Sequence, residues 1–133
     1  MMLVSCYLGK SKIEGFGVFT RVDIAKGAEV WRFDQTFDIL VPNDVLATAP
    51  EHVRTFYAHY AHYAYEVADF PEHMALDGDD GRFMNHSDTP NLDFSTPGVA
   101  TALRSIGAGE ELTCDYHHLA TKDFEMEPSR NAI

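Results

Sequence analysis

A chain of 133 residues, 45% of them hydrophobic, suits one ordinary domain with a single core and is too apolar for a disordered protein. A formal net charge of -11 repels phosphates, which speaks against nucleic acid as a direct partner and leaves room for a cationic one such as a lysine-rich peptide; solubility alone is the plainer explanation of the same charge. Two cysteines, Cys6 and Cys114, are too few for a disulfide framework or a zinc cluster, no run of eighteen apolar residues offers a membrane span, and the N-terminus lacks a signal-peptide layout, so the expectation is a cytoplasmic protein.

Leu3 to Leu8 has the β-branched and aromatic content of a short strand. A loop over Gly9 to Gly15 follows, and Val18-Phe19-Thr20 resumes a strand. Between them, Gly15-Phe16-Gly17 permits unusual backbone angles or close approach to a ligand, although on these residues alone a plain turn between strands is the better explanation. Ile24 to Gly27 is a turn. Ala28 to Phe33 is a strand, with Val30 and Arg32 facing away from Trp31 and Phe33. Phe37 to Val41 is another strand, ended by Pro42, and Asn43 caps a short helical turn over Asp44 to Thr48.

The strongest helix starts at Pro50. Val53, Phe56, Tyr57, Tyr60, Ala61 and Ala64 form one continuous face, which predicts an aromatic stripe packed in the core, with a tyrosine at its edge free to line a groove. Ala64 to Ala68 and His73 to Leu76 read as two short strands. Glu66, Asp69, Glu72, Asp77, Asp79 and Asp80 fall in a window without Lys or Arg, which predicts an acidic surface, either merely solvated or able to dock a basic peptide. Asp77 to Gly81 fails as the start of a calcium loop because the glycine falls at loop position five and no Glu occupies position twelve. A hairpin around Thr96-Pro97-Gly98 joins Asn91–Ser95 to Val99–Arg104. A last strand covers Glu111 to Tyr116, and a polar tail begins at Thr121. The element order is many short strands and one main helix, without βαβ alternation: a mainly β domain of small sheets.

Two polar stretches stand out, Arg82-Phe83-Met84-Asn85-His86-Ser87 and Gly109-Glu110-Glu111-Leu112-Thr113-Cys114-Asp115-Tyr116. The histidine pairs His59/His62 and His117/His118 lack the partners of a recognisable metal site, so no metal is expected. Cys114 as a covalent nucleophile would require a lowered thiol pKa and a base such as His86 or His117.

Taken with Glu14-Gly15-Phe16-Gly17-Val18-Phe19 and Asp23 to Val30, these stretches resemble, in order and spacing, the motifs of the SET-domain family of protein lysine methyltransferases. The resemblance runs from about Ser11 to Tyr116, within a single domain over 1–120 followed by a short tail over 121–133. It implies a β-clip fold of small curled sheets with a C-terminal pseudoknot. It also implies S-adenosyl-L-methionine as cofactor, held by Glu14, Gly15, Phe16 and Gly17 and by Asn85 and His86. Tyr116 matches the catalytic tyrosine, and Cys114, Phe33 and Trp31 are expected along the substrate channel. The implied activity is transfer of methyl groups to lysines of a basic protein or peptide. The alternative is a non-catalytic SET-like module that binds lysine-rich peptides or the cofactor.

The chain departs from many relatives at Cys114, where Tyr or Phe is common, and this smaller side chain predicts room for di- or trimethylation. It also lacks the post-SET zinc cysteines, so His117, Phe124, Met126 or a partner subunit would complete the channel wall. In that respect it is similar to minimal viral and bacterial members, some of which form homodimers. For a secreted effector of that kind, targeting to a host cell is the alternative to the cytoplasm.

Overall fold

The computed structural model describes residues 1–63 and 72–118. Three small sheets carry the fold. The first joins β1 (Cys6–Lys10), β2 (Phe16–Thr20), β7 (Asn85–His86) and β10 (Glu111–Cys114) in the order β1-β2-β10-β7. The second joins β3 (Glu29–Arg32), β8 (Leu92–Asp93) and β9 (Val99–Ala102) in the order β3-β9-β8. The third joins β4 (Ile39–Pro42), β5 (His62–Tyr63) and β6 (His73–Leu76) in the order β4-β6-β5. Helix α1 covers Asn43–Ala47 and α2 covers Glu51–Tyr60. This is the mainly β architecture expected from the sequence.

The core follows from alternation on short strands. On β9, Ala100 and Ala102 point inward while Val99 and Thr101 are half-buried, and small inward residues let neighbouring layers close. Val18 of β2 and Leu112 of β10 are Cα partners in register and fully buried. Each such side chain contributes roughly 1.5–3 kcal/mol by leaving water. The turns at Ile24 and Ile106 hydrogen-bond each other in both directions, 2.8 and 2.9 Å, and both side chains enter the core.

Sequence periodicity misleads in four places. Strict alternation on β3 fails: Val30 and Trp31 are both buried, because the pairing with β9 shifts register between Glu29 and Trp31. Helix α2 ends at Tyr60, where Ala61 turns extended, and none of its residues is buried; Phe56 is exposed rather than packed in the core. Asn43 is the first helical residue, not the cap, since Pro42 precedes it and no side chain caps α1. The acidic window is not one surface. Asp77 is buried, and the Asp79 carboxylate accepts the Met2 and Gly81 N–H groups at 2.8 and 3.0 Å, leaving Glu72 exposed. The strand expected over Ala64 to Ala68, Glu66 and Asp69, and the tail with Phe124 and Met126, lie outside the described residues.

The closing segment β10 runs antiparallel to β2 and parallel to β7, with Thr113 opposite Asn85 and Cys114 opposite His86. Two strands so short need support. Buried Asn91 provides it: its amide donates to the Glu111 carbonyl at 2.8 Å and its oxygen accepts the Thr113 N–H at 2.8 Å. Asn91→Ala leaves two backbone groups of β10 unpaired, and we expect it to cost about 2–4 kcal/mol. Urea unfolding measures this; a loss under about 0.5 kcal/mol would contradict the role.

Candidate active site

The site grows from the turn between β1 and β2. Ser11 N–H donates to the Gly15 carbonyl at 2.8 Å, and Ser11 Oγ accepts the Ile13 N–H at 2.9 Å, closing a tight loop. Gly15 sits at φ 47, the left-handed region that a side chain disfavours. At Gly17 a Cβ would overlap the Glu111 carboxylate, so a larger residue there would displace that carboxylate from its place beside the turn.

Asn85 holds that turn against β7. Its side-chain amide is shared among the carbonyls of Glu14 at 3.1 Å and Phe16 at 3.0 Å and the Oε1 of Glu111 at 3.0 Å. Glu14, Phe16 and Glu111 thus converge on one nearly inaccessible group. A buried amide with its donors filled is strongly directional, which fixes the turn's position.

His86 does the same for the end of β10. The Tyr116 N–H donates to His86 Nδ1 at 3.1 Å, which puts the ring proton of a neutral imidazole on Nε2, facing Asp88 Oδ1 at 2.9 Å. The rings of His86 and Tyr116 are 5.4 Å apart. Tyr116 is thereby aimed inward, and its hydroxyl donates to the Met84 carbonyl at 2.6 Å. Burial pushes the Tyr116 hydroxyl well above its ordinary pKa, with Cys114 adding to the effect, so the group stays a neutral phenol.

Among the described residues, His86, Asp115 and His117 bring potential metal-ligand atoms within 4.8 Å of one another. Each already has a protein partner. His86 Nδ1 accepts from Tyr116, and Asp115 Oδ1 accepts the His117 N–H at 3.0 Å and lies 2.8 Å from His117 Nδ1.

Beside Tyr116 a cleft opens, lined by Trp31, Met84, Phe94, Cys114 and Tyr116 and by Ala58 to Ala61 around the end of α2. His62, Asp77, Gly81 and Arg82 complete it. Of the residues expected along a channel, Trp31 and Cys114 line this cleft. Phe33 does not; it packs against the core. Phe16 is half-exposed on the turn. Tyr60, at the edge of the helical stripe, does reach the cleft and stacks edge-on against Phe83, centroids 5.4 Å apart.

The structure therefore brings Glu14 to Gly17, Asn85, His86 and Tyr116 into one connected assembly, with Cys114 and Trp31 on its inner side. Glu111, Asn91, His62 and Asp77 were missed as site residues. Glu111 looked like ordinary strand, and Asp77 like one more charge of an acidic run. The apolar run Met74-Ala75-Leu76 leading directly into Asp77 was the available signal of its burial.

Fit to a ligand ammonium is supported by one orphan: Glu14 Oε1 is buried and has no hydrogen-bond partner among the described residues. A buried carboxylate oxygen without a donor is costly, and a ligand ammonium at the glycine turn would satisfy it.

Cys114 is unsuited to covalent chemistry. It is 1% exposed, and burial raises its thiol far above the ordinary value, helped by the Asp77 and Asp115 charges. We expect a maleimide reagent to modify half-buried Cys6 in the native protein and Cys114 only after unfolding. Mass-mapped labelling of native Cys114 at the rate of Cys6 would contradict this.

A family model described as the SET domain matches residues 15–117. The histone-lysine N-methyltransferase SUV39H2 of Xenopus tropicalis is 34% identical over 85 residues, which cover 52% of this chain and 21% of that protein. The chain thus spans about a fifth of the length of the curated relative it matches. The Chaetomium thermophilum Polycomb Repressive Complex 2 superposes with a TM-score of 0.61 at 25% identity, over 85% of this chain and 15% of that one. The autoinhibited form of that complex bound to S-adenosylmethionine gives 0.62 at 23% identity, over 87% and 15%. Plasmodium falciparum PFL0690c gives 0.57 at 20% identity, over 86% of this chain and 98% of that one.

Proposed function

This chain belongs to the SET-domain family, and on that footing we propose that it is an S-adenosylmethionine-dependent methyltransferase acting on lysine side chains of a basic protein. The observation that carries the reading is Tyr116, oriented by His86 and set at a cleft separate in its lining from the Glu14 to Gly17 turn. When bound, S-adenosylmethionine supplies an electrophilic sulfonium methyl group. The residues that would hold it are Glu14 to Gly17 together with Asn85 and His86.

The chain's own residues meet the remaining demands. A lysine with an ordinary pKa of about 10.4 is neutral only to a fraction on the order of 10⁻³ near pH 7. Burial against Trp31, Met84, Phe94 and Tyr116 penalises the ammonium form and raises that fraction. Tyr116 is a neutral phenol whose proton is committed to the Met84 carbonyl, so toward the amine its oxygen acts as an acceptor of N–H and orients it. Alignment of the amine is a large part of the rate, because in-line displacement tolerates little angular error. Buried Cys114, with Sγ 3.9 Å from the Asn85 carbonyl, places a small side chain where a larger one would crowd the nitrogen; mass spectrometry of the product should show di- or trimethyllysine, and strict monomethylation would contradict it.

Substituting Tyr116→Phe removes the hydroxyl and keeps the ring. We expect at least about a 100-fold loss of kcat, the usual scale for one positioned acid–base or electrostatic group, with S-adenosylmethionine affinity by calorimetry within about threefold of the parent. Turnover near the parent's would remove Tyr116 from the chemistry. Absence of cofactor binding by the parent chain would reject the enzymatic reading itself.

A further inference from the structure

The cleft beside Tyr116 holds a feature that neither the glycine turn nor the tyrosine explains. Asp77 is 8% exposed, yet its Oδ1 has no hydrogen bond among the described residues, and neither has His62 Nε2, which faces it at 3.5 Å. Both residues line the cleft, and both side chains are nearly inaccessible, at 11% and 13%. The indole N–H of Trp31, on the same wall, is likewise buried without an acceptor.

A carboxylate in such a place is expensive unless a cation or donor completes it. Its position is dictated by the fold. Strand β6 carries Met74, Ala75 and Leu76 into the core and delivers Asp77 at its end. Strand β5 pairs with β6, with His62 opposite Ala75, and the His62 ring packs edge-on against Trp31 at 5.5 Å. The positive side chain on this wall is Arg82, and its Nε points to the Asp79 carbonyl at 3.5 Å. The cleft thus combines the apolar side chains of Trp31, Met84 and Phe94 with the buried Asp77 carboxylate, a combination that suits an alkyl chain ending in an ammonium group, while His59, His62 and Arg82 also contribute to its lining.

We propose that Asp77, positioned by His62, is the amine-recognition residue of the cleft: its carboxylate selects a lysine side chain over a neutral chain of the same length. This rests on the lysine-methyltransferase reading for the identity of the amine, but not for the existence of the site. Asp77 acts on arrival of the substrate, whereas orientation of the amine falls to Tyr116.

The test compares binding of a basic peptide carrying a single lysine with the same peptide carrying norleucine there, by calorimetry on the full chain. The parent protein should prefer lysine by about 30-fold or more, and Asp77→Asn should cut that preference below about threefold, the scale of losing one charged partner in a desolvated contact. Asp77→Glu should restore part of the preference. Cofactor affinity and melting temperature of Asp77→Asn should stay close to the parent's. A folded Asp77→Asn protein that still prefers lysine tenfold overturns the proposal, as does a parent with no preference. If Asp77→Asn fails to fold, His62→Gln decides: lysine preference must fall at least about fivefold, and an unchanged preference overturns the proposal. Methyl transfer is read separately. A parent that discriminates through Asp77 but transfers no methyl group refutes the enzymatic reading alone; one that methylates while Asp77→Asn discriminates normally refutes this inference alone.

Discussion

The side-chain amide of Asn85 is the constraint on which the rest depends. One buried NH₂ group, on the edge strand β7, reaches the carbonyls of Glu14 and Phe16 and the carboxylate of Glu111. Those three acceptors come from the glycine turn and from β10, segments far apart in the chain. No hydrophobic contact imposes such a specific geometry, because apolar packing is tolerant of direction. Gly17 belongs to the same arrangement: a Cβ there would overlap the Glu111 carboxylate and displace it from Asn85.

The neighbouring residue extends the same logic to the other side of the sheet. His86 takes the Tyr116 N–H, and Asp88 fixes the opposite ring nitrogen. A two-residue strand, Asn85–His86, thus anchors the turn with one side chain and the tyrosine with the next. Alternation along a strand sends those side chains to opposite faces, which gives the site two sides from a single dipeptide. Asn91 performs the equivalent service for β10, which has no long partner strand to hold it.

Much of this was legible in the sequence, and the reasons are physical. Turn residues and short β-rich runs are local signals, so the sheets, the hairpin at Thr96 to Gly98 and the main helix could be read directly. The motif residues Gly15, Asn85, His86 and Tyr116 were conspicuous because polar and glycine residues in strand surroundings are unusual. What escaped depended on partners distant in sequence. The register shift in β3 arises from pairing with β9, so alternation misassigned the faces of Val30 and Trp31. The stripe on α2 looked like core because periodicity reports amphipathicity, not which neighbour covers the face; Phe56 is left exposed. Asp77 was read with its acidic neighbours as surface, although the fold buries it at the end of β6. Phe33 packs against the core and does not line the cleft, because aromatic character in a strand serves either role equally and only the fold decides between them.

The central claim is that a glycine turn tied to Asn85 and a tyrosine tied to His86 deliver a methyl group to lysine. The most direct test is to incubate the chain with methyl-labelled S-adenosylmethionine and a cell lysate rich in basic proteins, then identify the labelled residue by mass spectrometry. The account predicts label on the side-chain nitrogen of lysine in a basic protein, dependent on Tyr116. Label on another residue type or on a non-protein acceptor, or none while the cofactor is bound, would contradict it.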